Sequence, residues 1–356
     1  MTFNNAYNYG AALQCYALQA FLRENDIPSV VIDYQCEYIN RQYKSLIRIV
    51  KGQELKSFVG SLVKLPNKIR GLARFRQFQY RYIETTDPVS KEELPQLVPE
   101  YCAFIAGSDQ IWSPACAGFD KAYFLDFAKP EQKYSYAASF GTDSLAEEWI
   151  PEYRDLLRDF QNFSVREASG AALIETITQK KAAVHMDPTL LLAQKSWEQL
   201  TATDVIKKPY IFVYSVQKPV ALLSRARSLG REKNLPVYYL NDKHLPLRGL
   251  KYVKAASPDQ FVSLIKNAEY VLTNSFHGVV FSLIFHKKFL VELDSAGGRN
   301  SRAEELLKKL HIGNRDIHTC SDPDSEVDWA SMDNDLAKAR AETGTYLRGL
   351  KFGQMK

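Results

Sequence analysis

Short apolar runs alternate with amphipathic segments along most of the chain. The segments between the runs carry apolar residues at helical spacing, as in 11–23, where positions 13, 17, 18, 21 and 22 are apolar. This alternation predicts an α/β fold with mostly parallel sheets. The apolar runs that we interpret as buried strands are 30–34, 101–107, 134–140, 163–167, 182–187, 210–214, 237–240, 270–273 and 289–293.

A polar stretch separates two such alternating regions. Residues 193–208 are mainly polar, and the Lys-Lys-Pro sequence at 207–209 is typical of a hinge. We therefore predict two Rossmann-like domains, 1–195 and 205–330, that face each other across a cleft. A final helical segment within 331–356 is expected to pack back across the domains.

The start of the chain is short for this fold. The helix at 11–23 is followed by a strand, and a right-handed βαβ unit needs a further strand before the helix. Only residues 1–3 are available for it. The expectation is that the start is either clipped or formed by a strand reduced to a stub.

A basic segment, 41–83, follows the first βαβ pattern. It holds eleven Lys or Arg residues against one acid, Glu54, in a chain whose net charge is +5. Apolar residues recur in it at helical spacing. One interpretation is a solvated helical insert in the first domain; the other is contact with an anionic membrane surface or an anionic ligand.

Composition narrows the class of protein. Hydrophobic residues make up 46% and charged residues 24%, as in globular proteins. The five cysteines form no C-x-x-C pair, which favours reduced thiols and argues against a zinc site. No apolar run approaches the length of a membrane-spanning helix, and the start has no signal-peptide pattern. We expect a cytoplasmic protein, with the inner membrane face as an alternative location.

The strongest candidate for chemistry is the stretch 270–278. A buried apolar strand ends in Thr273, Asn274 and Ser275, and a His-Gly pair then opens a second apolar segment. This is the pattern of a parallel strand that turns into a helix at the carboxyl edge of a sheet, where helix amides favour anions. His277 would either act on an anionic substrate or simply cap the turn.

Four stretches taken together resemble the polysaccharide pyruvyl transferase family: 8–14, 107–112, 136–141 with 164–167, and 273–278. The resemblance implies a two-domain fold similar to GT-B glycosyltransferases. It implies transfer of the enolpyruvyl group of phosphoenolpyruvate onto a sugar diol of a polysaccharide or its lipid-linked precursor, forming a cyclic pyruvate ketal. It implies no metal, no other cofactor and no nucleic-acid partner.

The resemblance, together with the chemistry, also assigns roles to residues. His277 and Asp109 would be catalytic, with His277 as general acid and then base and Asp109 taking a proton from the attacking hydroxyl. Residues that would bind the donor are Arg166, Asn274, Ser275, Arg299 and Arg302. Residues that would bind the acceptor are Asn8, Tyr9, Gly10 and Ser108.

Each role has a structural alternative. Arg166 with Glu167 could form a surface ion pair, and Asp109 could cap the turn before Trp112. Arg299 and Arg302 could be a solvated helix start, and residues 8–10 could serve a turn only. Some family members carry Arg where this chain has Ser275. The missing cation would then come from Arg299, Arg302 or Arg166.

Two rival functions stay open at this point. A glycosyltransferase using a nucleotide sugar is one, since Glu292 and Asp294 end a strand of the second domain, where an acid could bind ribose hydroxyls. The other is a non-catalytic family member that assembles with polysaccharide enzymes. Ser275 and the short start favour that second rival.

Overall fold

The structure is a computed structural model that describes residues 1–44, 54–201, 205–241, 248–293, 301–320 and 322–350, with backbone only at 54–60, 63 and 301. The chain divides into two compact units. Unit 1 comprises Met1–Lys44, Tyr82–Leu192 and Leu336–Lys356, and unit 2 comprises Ser45–Arg81 and Ala193–Asp335.

Helices and parallel strands alternate as the pattern of apolar residues predicts, so the α/β class is confirmed. The helices are, in chain order, α1 (Tyr9–Glu24), α2 (Glu37–Ile39), α3 (Glu54–Tyr82), α4 (Ile150–Leu157), α5 (Ala168–Thr178), α6 (Gln194–Leu200), α7 (Val220–Glu232), α8 (Pro258–Lys266), α9 (Phe276–Ile284), α10 (Ser301–Lys309) and α11 (Trp329–Gly349). The strands are β1 (Phe104–Ala106), β2 (Lys133–Ser135), β3 (Phe163–Val165), β4 (Ala182–Val184), β5 (Ile211–Tyr214), β6 (Val237–Leu240), β7 (Lys251–Val253), β8 (Tyr270–Thr273) and β9 (Lys288–Val291).

Unit 1 is built on short parallel strands. β1 pairs with β2 and β3 pairs with β4, while single bridges such as Ala138 to Val165 link the two pairs. The core between strands and helices centres on Trp112, which stacks on Phe124 at 5.9 Å between ring centroids. Trp112 also receives a hydrogen bond at its carbonyl from the Tyr153 hydroxyl, at 2.6 Å. These contacts fix the chain that leaves β1 at its carboxyl end.

The helix α1 begins where the polar start of the chain supplies a cap. The Asn8 side chain accepts a hydrogen bond from the Ala11 amide at 3.3 Å, which satisfies one of the first-turn donors. Apolar residues of α1 such as Leu13 and Leu18 are buried. The helix therefore holds residues 8 and 9 close to the sheet of unit 1.

Unit 2 contains one parallel sheet with the strand order β7-β6-β5-β8-β9. The chain moves outward from β5 to β7 and then returns to the other side of β5 with β8. The order therefore reverses between β5 and β8, and open α/β sheets bind ligands outside the carboxyl ends of the strands at such a reversal. The candidate stretch 270–278 consists of β8 and the turn that follows it at this point.

Residues 54–82 of the basic segment form the long helix α3, which packs on the rest of unit 2. Arg74 donates through Nη1 to the Ala255 carbonyl at 2.8 Å and to Gln260 Oε1 at 3.2 Å, and Phe75 and Phe78 are buried. Residues 54–81 of α3 thus belong to unit 2, whereas the segment 41–83 was predicted as an insert in the first domain. Within the described ranges, no helix combines the length and apolarity needed to cross a membrane.

The C-terminal helix α11 packs on unit 1 from Leu336 onward. Arg340 donates through Nε to the Leu190 carbonyl at 2.9 Å and through Nη2 to the Leu192 carbonyl at 3.2 Å. Tyr346 packs against His185 with 4.4 Å between ring centroids. The part of α11 from Leu336 to Gly349 is therefore packed into unit 1.

Candidate functional site

The turn between β8 and α9, residues 273–278, joins the carboxyl ends of three strands of unit 2. Asn274 accepts a hydrogen bond at Oδ1 from the Val216 amide, which follows β5, at 2.9 Å. Its Nδ2 donates to Glu292 Oε2, which follows β9, at 3.3 Å. Asn274 is buried, so its amide works as a clamp that fixes the turn at the reversal in strand order.

Gly278 lets α9 approach β8 closely. A Cβ atom at this position would lie 2.3 Å from Thr273 Oγ1 and 2.9 Å from Thr273 Cβ. The Thr273 hydroxyl in turn accepts a hydrogen bond from the Ser275 amide at 3.0 Å. Glycine is thus required by packing, and it brings the first turn of α9 directly onto the end of the strand.

His277 lies in the first turn of α9, at the positive end of the helix dipole. Its side chain is half-buried and its Nε2 atom is shielded from solvent. The neighbouring Phe276 lies edge-on to the imidazole at 5.3 Å and under the Arg302 guanidinium, whose carbon is 5.6 Å from the ring centroid. The turn therefore combines helix amides, an imidazole and a nearby cation, a set suited to an anionic ligand.

Unit 1 has a small pocket beside the carboxyl end of β1. It has a volume of about 130 Å³, and its polar lining includes Asn8, Tyr43, Asp109, Gln110 and Cys116. The Asp109 carboxylate accepts a hydrogen bond from the Gln110 amide at 2.8 Å. Such a pocket offers a carboxylate and several hydrogen-bonding groups to a polar ligand.

The backbone of Asp109 is strained. Its φ of 79° lies in the left-handed region, which non-glycine residues rarely adopt. The structure holds this conformation through the Asp109 carbonyl, which accepts a hydrogen bond from the Ser139 amide at 3.1 Å. Strain held in place by neighbouring bonds is concentrated at functional sites in proteins, and here it directs the Asp109 side chain into the pocket.

Tyr43 was not identified from the sequence. Its hydroxyl is hydrogen-bonded to the Asn8 side chain, and its pKa is raised, first by burial and then by the negative charge of Asp109. Tyr43 lies in the basic segment, and no motif in the sequence around it marks it as a site residue. It places a phenol beside the two residues that the sequence did select, Asn8 and Asp109.

Arg166 lies in a buried cluster of charges. Its Nε donates to Glu167 and its Nη1 to Asp187, both at 2.8 Å, and the side chain is 3% exposed. Burial alone would lower the pKa of Arg166, but the carboxylates of Glu167, Asp187 and, at greater distance, Asp109 raise it above its ordinary value. The ion pair of Arg166 with Glu167 is therefore buried and stabilises the edge of the sheet. It is not the surface ion pair that the sequence left open.

A model of a known protein family, described as polysaccharide pyruvyl transferase, matches residues 8–291. The chain belongs to the polysaccharide pyruvyl transferase family. The match covers all four stretches that carried the resemblance in the sequence, and it confirms that resemblance. No curated protein matches this family member in sequence.

Solved structures similar to this pyruvyl transferase family member share little sequence with it. Two are UDP-GlcNAc 2-epimerases, from Neisseria meningitidis (13% identity, TM-score 0.46) and Methanocaldococcus jannaschii (14%, 0.43), each covering 97% of this chain and 93% of its own. A third is the glycotransferase of kitacinnamycin (11%, TM-score 0.41, covering 97% and 96%). Scores this low carry no conclusion about activity.

The structure brings some of the predicted site residues together. In unit 2 the predicted donor residues Asn274 and Ser275 belong to the same turn as His277, and Arg302 lies over the Phe276 ring of that turn. Arg299 and Asp294 lie outside the described residues. The Ser275 side chain, within the described part of the chain, makes no capping bond to α9.

The predicted acceptor residues separate into two groups. Asn8 lines the unit 1 pocket together with Asp109, whereas the pocket lining drawn from the described residues does not include Tyr9, Gly10 or Ser108. Gly10 is buried within the first turn of α1, and Ser108 is buried and donates to Asp187 at 3.3 Å. Within the described residues, no group of three or more His, Cys, Asp or Glu is placed to hold a metal ion.

Proposed function

We propose that this chain transfers the enolpyruvyl group of phosphoenolpyruvate onto a sugar diol of a polysaccharide or its lipid-linked precursor, forming a pyruvate ketal. Membership of the pyruvyl transferase family carries the proposal. The turn at residues 273–278 supports it, because a helix start, His277 and the Arg302 guanidinium suit a donor with a carboxylate and a phosphate. The reaction would take place on the cytoplasmic side of the membrane.

We assign the donor chemistry to the turn in unit 2. His277 gives a proton to the methylene carbon of phosphoenolpyruvate, and a sugar hydroxyl adds to the neighbouring carbon. The C–O bond to phosphate then breaks and phosphate leaves. A second hydroxyl closes the ketal ring, and its proton passes to His277, which is thereby restored. Arg302 balances the negative charge of the donor. Some family members carry Arg at the position of Ser275, and the uncharged Ser275 cannot supply that charge here.

We assign the acceptor hydroxyl to the pocket in unit 1. Asp109 takes the proton of the attacking hydroxyl, because it is the carboxylate in the pocket lining, which contains no imidazole among the described residues. Asn8 and Tyr43 bind sugar hydroxyls through their amide and phenol groups. The charge of Arg166 is already balanced by Glu167 and Asp187, so Arg166 positions the carboxyl end of β3 and does not bind a ligand.

Phosphoenolpyruvate should raise the melting temperature of the protein, whereas nucleotide sugars should not. The expected reason is that the donor adds binding energy to the folded state alone. Phosphate release with candidate glycans then tests catalysis. Protection by a nucleotide sugar would favour the glycosyltransferase, and protection by phosphoenolpyruvate without phosphate release on any glycan would favour a non-catalytic member.

We also propose that α3 contacts an anionic membrane surface that carries the lipid-linked acceptor. At 100° per residue, its exposed apolar positions 62, 66, 69, 73 and 80 fall within about 60° of arc. Leu62, Ile69 and Tyr80 are 43%, 48% and 93% exposed. Exposed cations border this apolar stripe, which is the pattern of a helix that lies in a membrane interface; they are Arg70, Arg76 and Arg81.

Binding to vesicles that contain phosphatidylglycerol should be strong at low salt and weaken steeply as salt rises, because the screening length falls from about 10 Å at 0.1 M to about 3 Å at 1 M. Ile69→Ser combined with Tyr80→Ser should reduce binding further. Val184→Ser, at an exposed apolar position in unit 1 (43% exposed), is the matched control and should bind as the unchanged protein does. Equal binding to neutral vesicles, or none to either, would leave α3 as an ordinary surface helix.

A further inference from the structure

The mouth of the unit 1 pocket carries an exposed aromatic ring. Tyr38 lines this pocket together with Asn8, Tyr43 and Asp109, and it is 47% exposed. The three other residues offer an amide, a phenol and a carboxylate to a ligand. The Tyr38 ring is therefore a flat apolar surface beside a set of hydrogen-bonding groups.

The chain around Tyr38 fixes the position of this ring before any ligand arrives. Gly118 has a φ of 64°, and a Cβ atom there would lie 2.9 Å from Tyr38 Cδ2 and 3.2 Å from Cγ. The Gly118 backbone therefore packs directly against one side of the ring, which only glycine allows at this position. Cys36 and Ile39, on either side of Tyr38 in the sequence, are buried. A ring held in this way loses little side-chain entropy when it binds a ligand.

Tyr38 and Tyr43 reach the pocket from one irregular helical segment. The chain leaves α2 through a π-helix at Asn40–Lys44, in which hydrogen bonds join residues five apart. Turns of this kind are rare and are found frequently at functional sites. The Tyr43 hydroxyl is hydrogen-bonded to the Asn8 side chain. The segment thus supplies the pocket with both an apolar surface and a hydrogen-bonding group.

The charge of the pocket indicates the class of its ligand. Its lining holds one charged side chain, the Asp109 carboxylate, and no Lys or Arg among the described residues. An anionic ligand would therefore meet a like charge without a cation to offset it. The volume of about 130 Å³ lies below the roughly 300–1,000 Å³ of pockets that enclose drug-sized ligands. The pocket therefore suits a single neutral group that is rich in hydroxyls.

We propose that Tyr38 determines the specificity of an acceptor subsite that takes a neutral pyranose. The C–H bonds on one face of the sugar ring lie on the Tyr38 phenol, and the sugar hydroxyls bind Asn8, Tyr43 and Asp109. A pyranose has an apolar face and a rim of hydroxyls, so it matches an aromatic ring beside hydrogen-bonding groups. Sugars that carry a carboxylate are repelled by Asp109. This inference rests on the proposed function, because it places the acceptor in the unit 1 pocket.

The test measures the binding of methyl pyranosides by saturation-transfer NMR. The probes are the methyl β-pyranosides of glucose, galactose and mannose, each paired with the uronide of the same ring. For the neutral pyranoside that the unchanged protein binds best, Tyr38→Ala should weaken binding about 3–10-fold, because the ring contact is lost. Tyr38→Phe keeps the ring and should bind within about twofold of the unchanged protein. The paired uronide should bind about tenfold more weakly.

Two controls exclude an indirect effect on the fold. Val184→Ala removes a similarly exposed apolar side chain outside the pocket (43% exposed) and should leave sugar binding unchanged. Melting temperatures check that Tyr38→Ala is folded. If it is not, Tyr38→Leu takes its place, since it keeps the apolar bulk without the flat ring and should lose binding in the same way. The proposal is overturned if no neutral pyranoside binds, if loss of the ring leaves binding unchanged, or if a uronide binds as tightly as its neutral partner.

Binding is measured without phosphoenolpyruvate, so this inference and the proposed function can fail separately. If neutral pyranosides bind through Tyr38 but phosphoenolpyruvate gives no phosphate release with any glycan, the subsite stands and the transferase activity does not. If a glycan accepts pyruvate and Tyr38→Ala leaves the KM for that glycan unchanged, the activity stands and the Tyr38 subsite is wrong.

Discussion

Replacing His277 by Asn should lower kcat about 10²–10⁴-fold, the usual loss when a general acid-base group is removed. Asparagine keeps the size of the side chain and one hydrogen-bonding group, but it cannot carry a proton at neutral pH. The turn itself should survive, since Asn274 and Gly278 hold it through contacts that do not involve the imidazole. Phosphate release measures the rate, and the phosphoenolpyruvate-dependent shift in melting temperature measures donor binding.

Arg302→Ala is the matched control for His277→Asn. Removing the cation over Phe276 should raise the KM for phosphoenolpyruvate with a smaller change in kcat, because the guanidinium acts on the charge of the donor and not on its proton. The two variants should thus fail in different parameters. If His277→Asn turns over at the rate of the unchanged protein, the imidazole is a structural cap and the chemistry proposed for it is wrong.

Replacing Arg166 by Met should destabilise the protein by about 3–5 kcal/mol, because two buried carboxylates lose their partner. For a unit of this size that corresponds to a fall in melting temperature of about 6–20 °C. Arg158→Met is the control: Arg158 also contacts two acids, Asp155 and Asp159, but its side chain is 68% exposed. We expect that change to stay within about 0.5 kcal/mol.

A second substitution separates the structural role of Arg166 from the donor-binding role predicted from the sequence. Adding Asp187→Asn to Arg166→Met removes one of the unpaired charges and should restore part of the lost stability. A donor ligand would behave differently: Arg166→Met would melt like the unchanged protein and show a raised KM for phosphoenolpyruvate. That outcome would contradict the structural assignment.

Local sequence signals were sufficient for the elements that depend on neighbouring residues. The apolar run 270–273 followed by Asn274 and Ser275 predicted β8 and the start of α9, and β6 was predicted at residues 237–240, its observed bounds. The run 134–140 was predicted too long, because β2 ends at Ser135 and Ala137 has a φ of 47°. The apolar run 134–140 therefore contains a turn as well as a strand. The turn is fixed by hydrogen bonds to other segments, which the local sequence does not show.

The parts that could not be predicted depend on residues far apart in sequence. The environment of Arg166 is set by Asp187, 21 residues later, so the sequence could show a charge but not its burial. Tyr43, which follows α2, lies near Asp109, which follows β1, only because the tertiary fold brings these two segments together. β7 was missed because its three residues include an exposed Lys251 and carry no apolar run.

The chain passes between the two units four times, and this has a consequence for how the protein is made. Unit 1 receives its last segment from Leu336 onward, and unit 2 receives α3 long before its sheet strands are synthesised. On the ribosome, unit 1 emerges first but therefore cannot finish folding until the residues from Leu336 onward have been synthesised. Arg74 of α3 likewise lacks its hydrogen-bond acceptors until Ala255 and Gln260 have been synthesised. Neither unit can be released as one uninterrupted fragment by a protease cut at the polar stretch 193–208.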